Sequence, residues 1–297
     1  MEVRMKIKGS LKNINKISND TADKLLIPAI EETLRNLKAG VDRGHGWNSP
    51  SSVGYCSRSV YFGRIGLPPD FPSNEPRLQR IFDNGTYTHI RLQNYLLQSG
   101  VLLADEAPLY DKAYQIMGTT DGLLLDKDKS IAVLEIKSIN SMGFAGLKDA
   151  KPEHKMQASI YMYCLNTMRN LILLGKRKEL EQEYLYKLDS FLEDTTSLDG
   201  KVHLKKDKVD SRFKDFKNTL DFLEQYPKPI KKVIFLYENK DTQELKEFAY
   251  TDKAATTKAL KKFSAINDAV RERKVPAAEK TFMCNGCHYR KVCANYD

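Results

Sequence analysis

No stretch of about 18 apolar residues occurs in the chain, so the sequence offers no membrane-spanning helix. The opening run MEVRMKIKGSLKNINK is basic but lacks an apolar segment before a small-residue cleavage site. That argues against a secretory signal and predicts a cytoplasmic protein. No Gly-x4-Gly-Lys-[Ser/Thr] phosphate loop is present, so no ATP motor is expected. Internal repeats and low-complexity tracts are also missing. Cysteine is scarce, at five residues, yet three of the five crowd into Cys284-x2-Cys287-x5-Cys293. In a reducing compartment such spacing speaks for metal binding rather than disulfides.

What is present suits a substantial fold. With 297 residues, 41% of them hydrophobic, the chain can bury a full core as one large domain or a domain with additions. Lys and Arg number 48 against 39 Asp and Glu, a net charge of +9 that suits a polyanionic partner.

Residues 1–19 are polar and Lys-rich and read as loosely ordered. From Asp20 the spacing Leu26, Ile30, Leu34, Leu37 predicts a helix, with Ser18, Asn19 or Asp20 as cap. Ser49-Pro50-Ser51-Ser52 reads as a cap and first turn leading into a helix over Val53–Ile65 that carries Cys56 and Arg58. Helical periodicity resumes over Arg77–Leu97, with His89 inside it. The short apolar runs Val101–Ala104, Tyr114–Gly118, Gly122–Asp126 and Ile131–Ile136 read as strands of a meander. A helix follows over Pro152–Leu165. Residues 175–229 are charged and helical in pattern, broken at Asp194–Asp210. Lys232–Tyr237 and Leu245–Tyr250 flank a hairpin turn, and a last charged helix covers residues 252–274.

The chemistry centres on Asp121 and on Glu135-Ile136-Lys137. Phosphodiester hydrolysis needs a hard cation to neutralise phosphoryl oxygens and acidify a water. Magnesium takes oxygen ligands and few protein carboxylates, and Asp121 and Glu135 on adjacent strands can supply two. Alternate residues of a strand share a face, so Lys137 sits beside Glu135, where it can orient the attacking water or help deprotonate it. Ile131-Ala132-Val133-Leu134 is a buried type of strand, and a charged pair at its end is poor surface decoration. Gln157 and Tyr161, at i and i+4, share one helix face and can hydrogen-bond a phosphate or a metal-bound water. His89 is either a packing residue or, as a neutral imidazole, a ligand better suited to manganese than to magnesium.

Cys284 and Cys287 supply two thiols across a tight turn, and Cys293 a third. Cys56 completes the set if both ends of the chain meet; His288 is the competing fourth ligand, in a Cys3His zinc site. Tetrahedral thiolate ligation suits zinc and iron–sulfur clusters alike. Cys164, within an apolar helical run, reads as a buried small hydrophobe.

The order Cys56, His89, Asp121, Glu135 with Lys137, Gln157 with Tyr161, then Cys284, Cys287 and Cys293 resembles the RecB-type branch of the PD-(D/E)XK nuclease superfamily. The likeness is nearest to the CRISPR-associated four-cysteine iron–sulfur exonucleases. Gly85, four residues before His89, also matches, whereas Ser57 stands where that family commonly has proline. The resemblance covers roughly residues 48–165 and 230–293. It implies an α/β fold, a central mixed β-sheet flanked by helices in a restriction-endonuclease-like core. Residues 1–47 would be a helical extension, and 48–297 a nuclease domain with a charged insertion near 175–229.

It further implies a 4Fe–4S cluster on Cys56, Cys284, Cys287 and Cys293, with zinc as the alternative. Magnesium or manganese would be held by His89, Asp121, Glu135 and the Ile136 carbonyl, with Lys137 beside the water. Gln157 and Tyr161 would contact DNA or brace the site. The expected reaction is hydrolysis of DNA, from single-stranded ends, in bacterial or phage recombination, replication, repair or CRISPR adaptation, alongside proteins of those pathways. A homo-oligomer is compatible with the sequence. The lysines Lys201, Lys205, Lys206 and Lys208 form either a DNA contact or a solvated face. Rival readings are a structure-specific endonuclease and a non-catalytic DNA-binding adaptor that keeps the metal-stapled fold.

Overall fold

A computed structural model of the chain describes residues 25–37, 46–70, 75–193, 202–252 and 254–296. They fall into two compact units, residues 25–37 with 75–81 and all the rest. The smaller unit contains helix α1 (Leu26–Leu37), where Leu26 and Ile30 repeat at the expected spacing. The segment 1–19 and the cap candidates Ser18, Asn19 and Asp20 lie outside the described residues.

The larger unit is built on a five-stranded sheet. Its strands are β1 (Leu102–Asp105), β4 (Gly122–Leu125), β5 (Ile131–Ile139), β6 (Val233–Asn239) and β7 (Leu245–Tyr250), in the order β1-β4-β5-β6-β7. β5 and β6 run parallel and the other pairs antiparallel, so the sheet is mixed. A parallel pair needs a long crossover. Here it runs through α4 (Ser141–Ala145), α5 (Pro152–Leu173), α6 (Arg177–Glu193) and α7 (Val202–Gln225).

Alternation along β5 decides what faces what. Ala132, Leu134 and Ile136 pack with Leu92 of α3 (Pro76–Gln98) on one side of the sheet. Ile131 and Val133 join the main core with Ala158, Tyr161 and Leu165 of α5 on the other. Covered on both faces, β5 is apolar at almost every position up to Glu135.

The strands are not a simple meander. β1 pairs directly with β4, Asp105 opposite Gly122. β3 (Ile116–Thr119) instead forms a separate hairpin with β2 (Pro108–Asp111), a strand that periodicity did not reveal. Pro108 cannot donate to a ladder, which suits the first residue of a short two-stranded ribbon. The helix expected over Val53–Ile65 is also divided. Residues Pro50–Gly54 form a 3-10 turn that buries Pro50 and Val53, Tyr55 is extended, Cys56 is the N-cap, and α2 runs only over Ser57–Arg64. Cys56 therefore caps α2 instead of riding on it.

The charged segment contributes to the main core. Tyr184 of α6 and Phe216 of α7 stack with centroids 3.8 Å apart and planes at 8°, and Tyr110 of β2 meets both edge-on. Arg177 bridges to Asp221 at 2.5 Å and also pairs with Glu224, tying α6 to α7. The expected break at Asp194–Asp210 is shorter than the sequence suggests. Val209, Phe216, Leu220 and Leu223 give α7 a buried stripe, and the helix reaches back to Val202. Lys208 is exposed; Lys201 and the side chains of Lys205 and Lys206 lie outside the described residues.

Candidate active site

The carboxyl half of β5 carries the charge. Glu135 and Lys137 project together onto the α5 side of the sheet, and the Lys137 Nζ lies 2.5 Å from Glu135 Oε1. Glu135 is 0% exposed. Among the described residues neither of its oxygens receives an aligned hydrogen bond, despite the ammonium close by. Leaving such a group unmet is costly, and native proteins seldom do so without a ligand, a water or a catalytic role to account for it.

Asp121 sits in the connection just before β4, one residue ahead of the strand that pairs with β5. Its Oδ2 accepts the Ile136 N–H at 2.6 Å, and its Oδ1 lies 3.3 Å from His89 Nδ1 on α3. The Gln93 amide, one turn beyond His89, donates to the Asp121 carbonyl at 2.8 Å. Across the sheet, Gln157 Oε1 lies 3.4 Å from Lys137 Nζ, and Gln157 Nε2 donates to the Tyr161 hydroxyl at 2.5 Å. The structure thus brings His89, Asp121, Glu135, Lys137, Gln157 and Tyr161 into one continuous network that includes the Ile136 backbone.

The electrostatics follow from burial. Desolvation, then repulsion from Asp121, pushes the Glu135 carboxyl up to about 7 against the opposing pull of Lys137. Burial alone would lower Lys137, but the Glu135 charge and contact win and hold it above its usual value, so it stays an ammonium. His89 behaves alike: burial lowers it, while the bond to Asp121 and the charges of Asp121 and Glu135 raise it further. Tyr161, fully buried, is held protonated well above the ordinary phenol range.

Sequence reasoning passed over several residues that the fold adds. Gln93 braces Asp121, and Glu106, raised by burial and then by the Asp121 charge, lies beside it. His154 precedes Gln157 by three residues on α5, and its Nδ1 lies 2.7 Å from the Tyr237 hydroxyl. The helical interval His154–Gln157–Tyr161 was the signal available for it. A groove of about 590 Å³ between α3 and the β6–β7 turn, lined by Tyr87, Arg91, Tyr95 and Glu238 among others, contains none of the predicted site residues.

A family model described as the PD-(D/E)XK nuclease superfamily matches residues 77–294, which span the whole network. The chain belongs to the PD-(D/E)XK nuclease superfamily. The mixed sheet flanked by helices is consistent with the core of that superfamily. No curated protein matches the sequence. The solved structure described as "Crystal structure of SSO0001" is similar at 12% identity, covering 90% of this chain and 95% of that one, with a TM-score of 0.46.

The fit of this nuclease to a divalent cation can be judged from its donors. The Asp121 and Glu135 carboxylates and the Ile136 carbonyl are hard oxygen donors of the kind magnesium or manganese takes, whereas the His89 imidazole is a borderline donor that favours manganese. The buried Glu135 carboxylate, which receives no well-aligned hydrogen bond, is a donor such an ion would satisfy. As placed, no three His, Cys, Asp or Glu among the described residues form a group that could hold a metal ion, at this site or at the cysteines.

The cysteine segments nevertheless lie side by side. Cys56 Sγ accepts the Glu279 N–H at 3.4 Å, and Cys284 Sγ lies 4.0 Å from the Glu279 carbonyl. Cys287 Sγ is 3.9 Å from Ser59 Oγ, and Arg58 donates to Cys293 Sγ at 3.3 Å. Asp70 accepts the N–H groups of Lys291 and Val292 at the start of α9 (Arg290–Ala294). Phe62 packs on Tyr289 and Tyr296. All four thiols are free and partly exposed, whereas Cys164 is fully buried and held protonated by that burial. His288 is exposed, its carbonyl accepting the Asp70 N–H at 2.7 Å.

Proposed function

We propose that the protein is a metal-dependent deoxyribonuclease acting as an exonuclease on single-stranded DNA ends. The observation that carries this reading is a fully buried Glu135 set beside Asp121 and in ionic contact with Lys137 at 2.5 Å. His89, Asp121, Glu135 and the Ile136 carbonyl would hold magnesium or manganese. That ion supplies charge neutralisation at the phosphoryl group and a more acidic water.

The chain's own groups do the rest. Ile136 N–H orients Asp121 through Oδ2. Lys137, kept protonated, places a positive charge where the attacked phosphate gathers negative charge. Gln157 links Lys137 to Tyr161 and restrains its ammonium. The net charge of +9 favours the phosphate backbone and makes binding salt-dependent.

In the same reading residues 48–297 form the nuclease domain, residues 1–47 an extension and residues near 175–229 a charged insertion. Cys56, Cys284, Cys287 and Cys293 would hold a 4Fe–4S cluster, as in the CRISPR-associated exonucleases. Their partly exposed, free thiols from both ends of the domain support it. No helix among the described residues is long and apolar enough to cross a membrane, and the basic resident of a bacterial or phage-infected cytoplasm is the setting proposed.

The test uses anaerobically purified protein with manganese on 5′-labelled, 3′-labelled and circular DNA. Release of nucleotides from linear single strands, abolished in Glu135→Ala, is the expected result. Cutting of circles would assign an endonuclease. No cleavage, with Glu135→Ala indistinguishable from wild type, would leave a DNA-binding adaptor.

A further inference from the structure

α5 bears one more polar group on the face that carries Gln157 and Tyr161. His154 stands three residues before Gln157 and seven before Tyr161, spacings that keep all three on one side of the helix. Its Nδ1 lies 2.7 Å from the hydroxyl of Tyr237, and the two rings stack at 5.7 Å and 27°. Tyr237 is a fully buried residue of β6 whose ladder partner is Lys137.

The hydrogen bonds at Tyr237 favour one tautomer of the imidazole. The Tyr237 oxygen also accepts the Lys151 N–H at 3.1 Å. A phenol has one proton to donate, and burial, which pushes Tyr237 up to about 12, keeps that proton in place. Were Nδ1 also a donor, the buried phenol proton would have no acceptor among the described residues, so the geometry favours the O–H donating to Nδ1. Nδ1 is then an acceptor, so a neutral ring carries its hydrogen on Nε2. Burial, followed by the charges of Lys137 and Lys151, depresses His154 to about 3 and favours the neutral ring. Nε2 has no hydrogen-bond partner among the described residues, and the side chain is only half-buried.

A fixed N–H donor, uncharged and open to solvent on the site's own helix face, is a built contact in search of an acceptor. We propose that the Nε2–H of His154 donates to a non-bridging oxygen of the DNA phosphate next to the scissile one. This contact rests on the nuclease reading above and makes His154 a substrate-binding residue, with Tyr237 the positioning residue that sets its tautomer. A neutral donor serves here because an imidazolium would be repelled by the Lys137 ammonium.

Two measurements decide it, one of them independent of catalysis. In metal-free protein at pH 7, nitrogen-15 NMR should find His154 protonated on Nε2 in the wild type and a mixture of tautomers in Tyr237→Phe. In the same buffer, the Kd for a fluorescent single-stranded oligonucleotide should rise about tenfold in His154→Leu. It should rise no more than about threefold in His154→Gln, whose amide retains a donor. With manganese, the His154→Leu loss should appear in KM with kcat near wild type. Thermal denaturation checks folding; if His154→Leu is unfolded, Tyr237→Phe carries the binding comparison and should bind more weakly than wild type.

A ring protonated on Nδ1, a cationic ring, or an unchanged Kd in the variants would overturn the proposal. Wild-type protein that binds the oligonucleotide through His154 but cleaves nothing would sink the nuclease reading and leave the contact standing. Wild-type protein that binds no oligonucleotide would remove both.

Discussion

Replacing Gly122 with alanine tests the link between packing and the site most directly. Gly122 begins β4, immediately after Asp121, between Asp105 of β1 and Leu134 of β5. A Cβ there would fall 2.6 Å from Leu102 Cδ1, 2.9 Å from the Ala104 carbonyl oxygen and 3.5 Å from Leu134 Cδ2. The leucine methyl can swing aside. The Ala104 carbonyl belongs to the backbone of a paired strand and cannot. Ordinary contact begins near 3.4 Å, so β4 must retreat by about half an ångström. Overpacking of this kind costs about 1–3 kcal/mol. The displacement passes to Asp121, which is tethered on its other side by the Ile136 N–H. Since a 1 Å misplacement can cost about a hundredfold in rate, roughly a tenfold loss of kcat/KM is expected. Urea denaturation and manganese-dependent release of labelled nucleotide measure the two effects. Gly85→Ala in α3, where a Cβ meets nothing within 4 Å, is the control and should stabilise by about 0.5–1 kcal/mol. A Gly122→Ala protein with wild-type urea midpoint and kcat/KM would refute the reasoning.

Four further outcomes are expected. Phe216→Ala, which empties a fully buried ring site between Tyr184 and Tyr110, should cost about 3–5 kcal/mol in urea unfolding, because the charged segment is part of the main core. On the proposed cluster reading, Cys56→Ala and Cys293→Ala lose iron and thermal stability to the same extent; a Cys56→Ala protein with full metal content would favour a zinc site through His288. Manganese at about a hundred times its Kd should stabilise the wild type by about 2.7 kcal/mol and Glu135→Ala hardly at all, read as a thermal shift. The fourth concerns acid. His154 has a folded pKa of about 3 against 6.5 unfolded, so the unfolded chain binds the proton first. Its contribution is complete above pH 6.5 and is lost as pH falls towards 3, by at most about 1.4 kcal/mol per pH unit. His154→Gln should flatten that limb of the stability curve, and an unchanged limb would show that the ring is not held neutral.

The readable parts of the site are those set by local periodicity. Two-residue alternation puts Lys137 beside Glu135, and the helical repeat joins Gln157 to Tyr161; both pairs are in contact. The hairpin β6–β7 was legible for the same reason, since its strands are separated by a short polar turn. β2 was not, because Pro108–Asp111 is too short to show a period. The division of Pro50–Arg64 into a turn and a helix depends on burying Pro50 and Val53, which is a matter of packing.

By itself the sequence determined which residue types were available and in what order: an acidic pair with a lysine, an amide and a phenol on one helix face, and thiols at both ends of the domain. Local steric rules were enough for that, because alternation and helical pitch act over a few residues. Tertiary structure alone decided that His89 meets Asp121, that Ile136 aims Asp121, and that His154 leans on Tyr237, a partner 83 positions away. It also decided that Cys56 lies against Glu279, 223 positions distant, among the terminal thiols. Such pairings follow from burying both faces of the sheet at once, a condition on the whole chain that no short window contains. The same burial sets the Glu135 carboxylate, shut off from solvent, against the Lys137 ammonium.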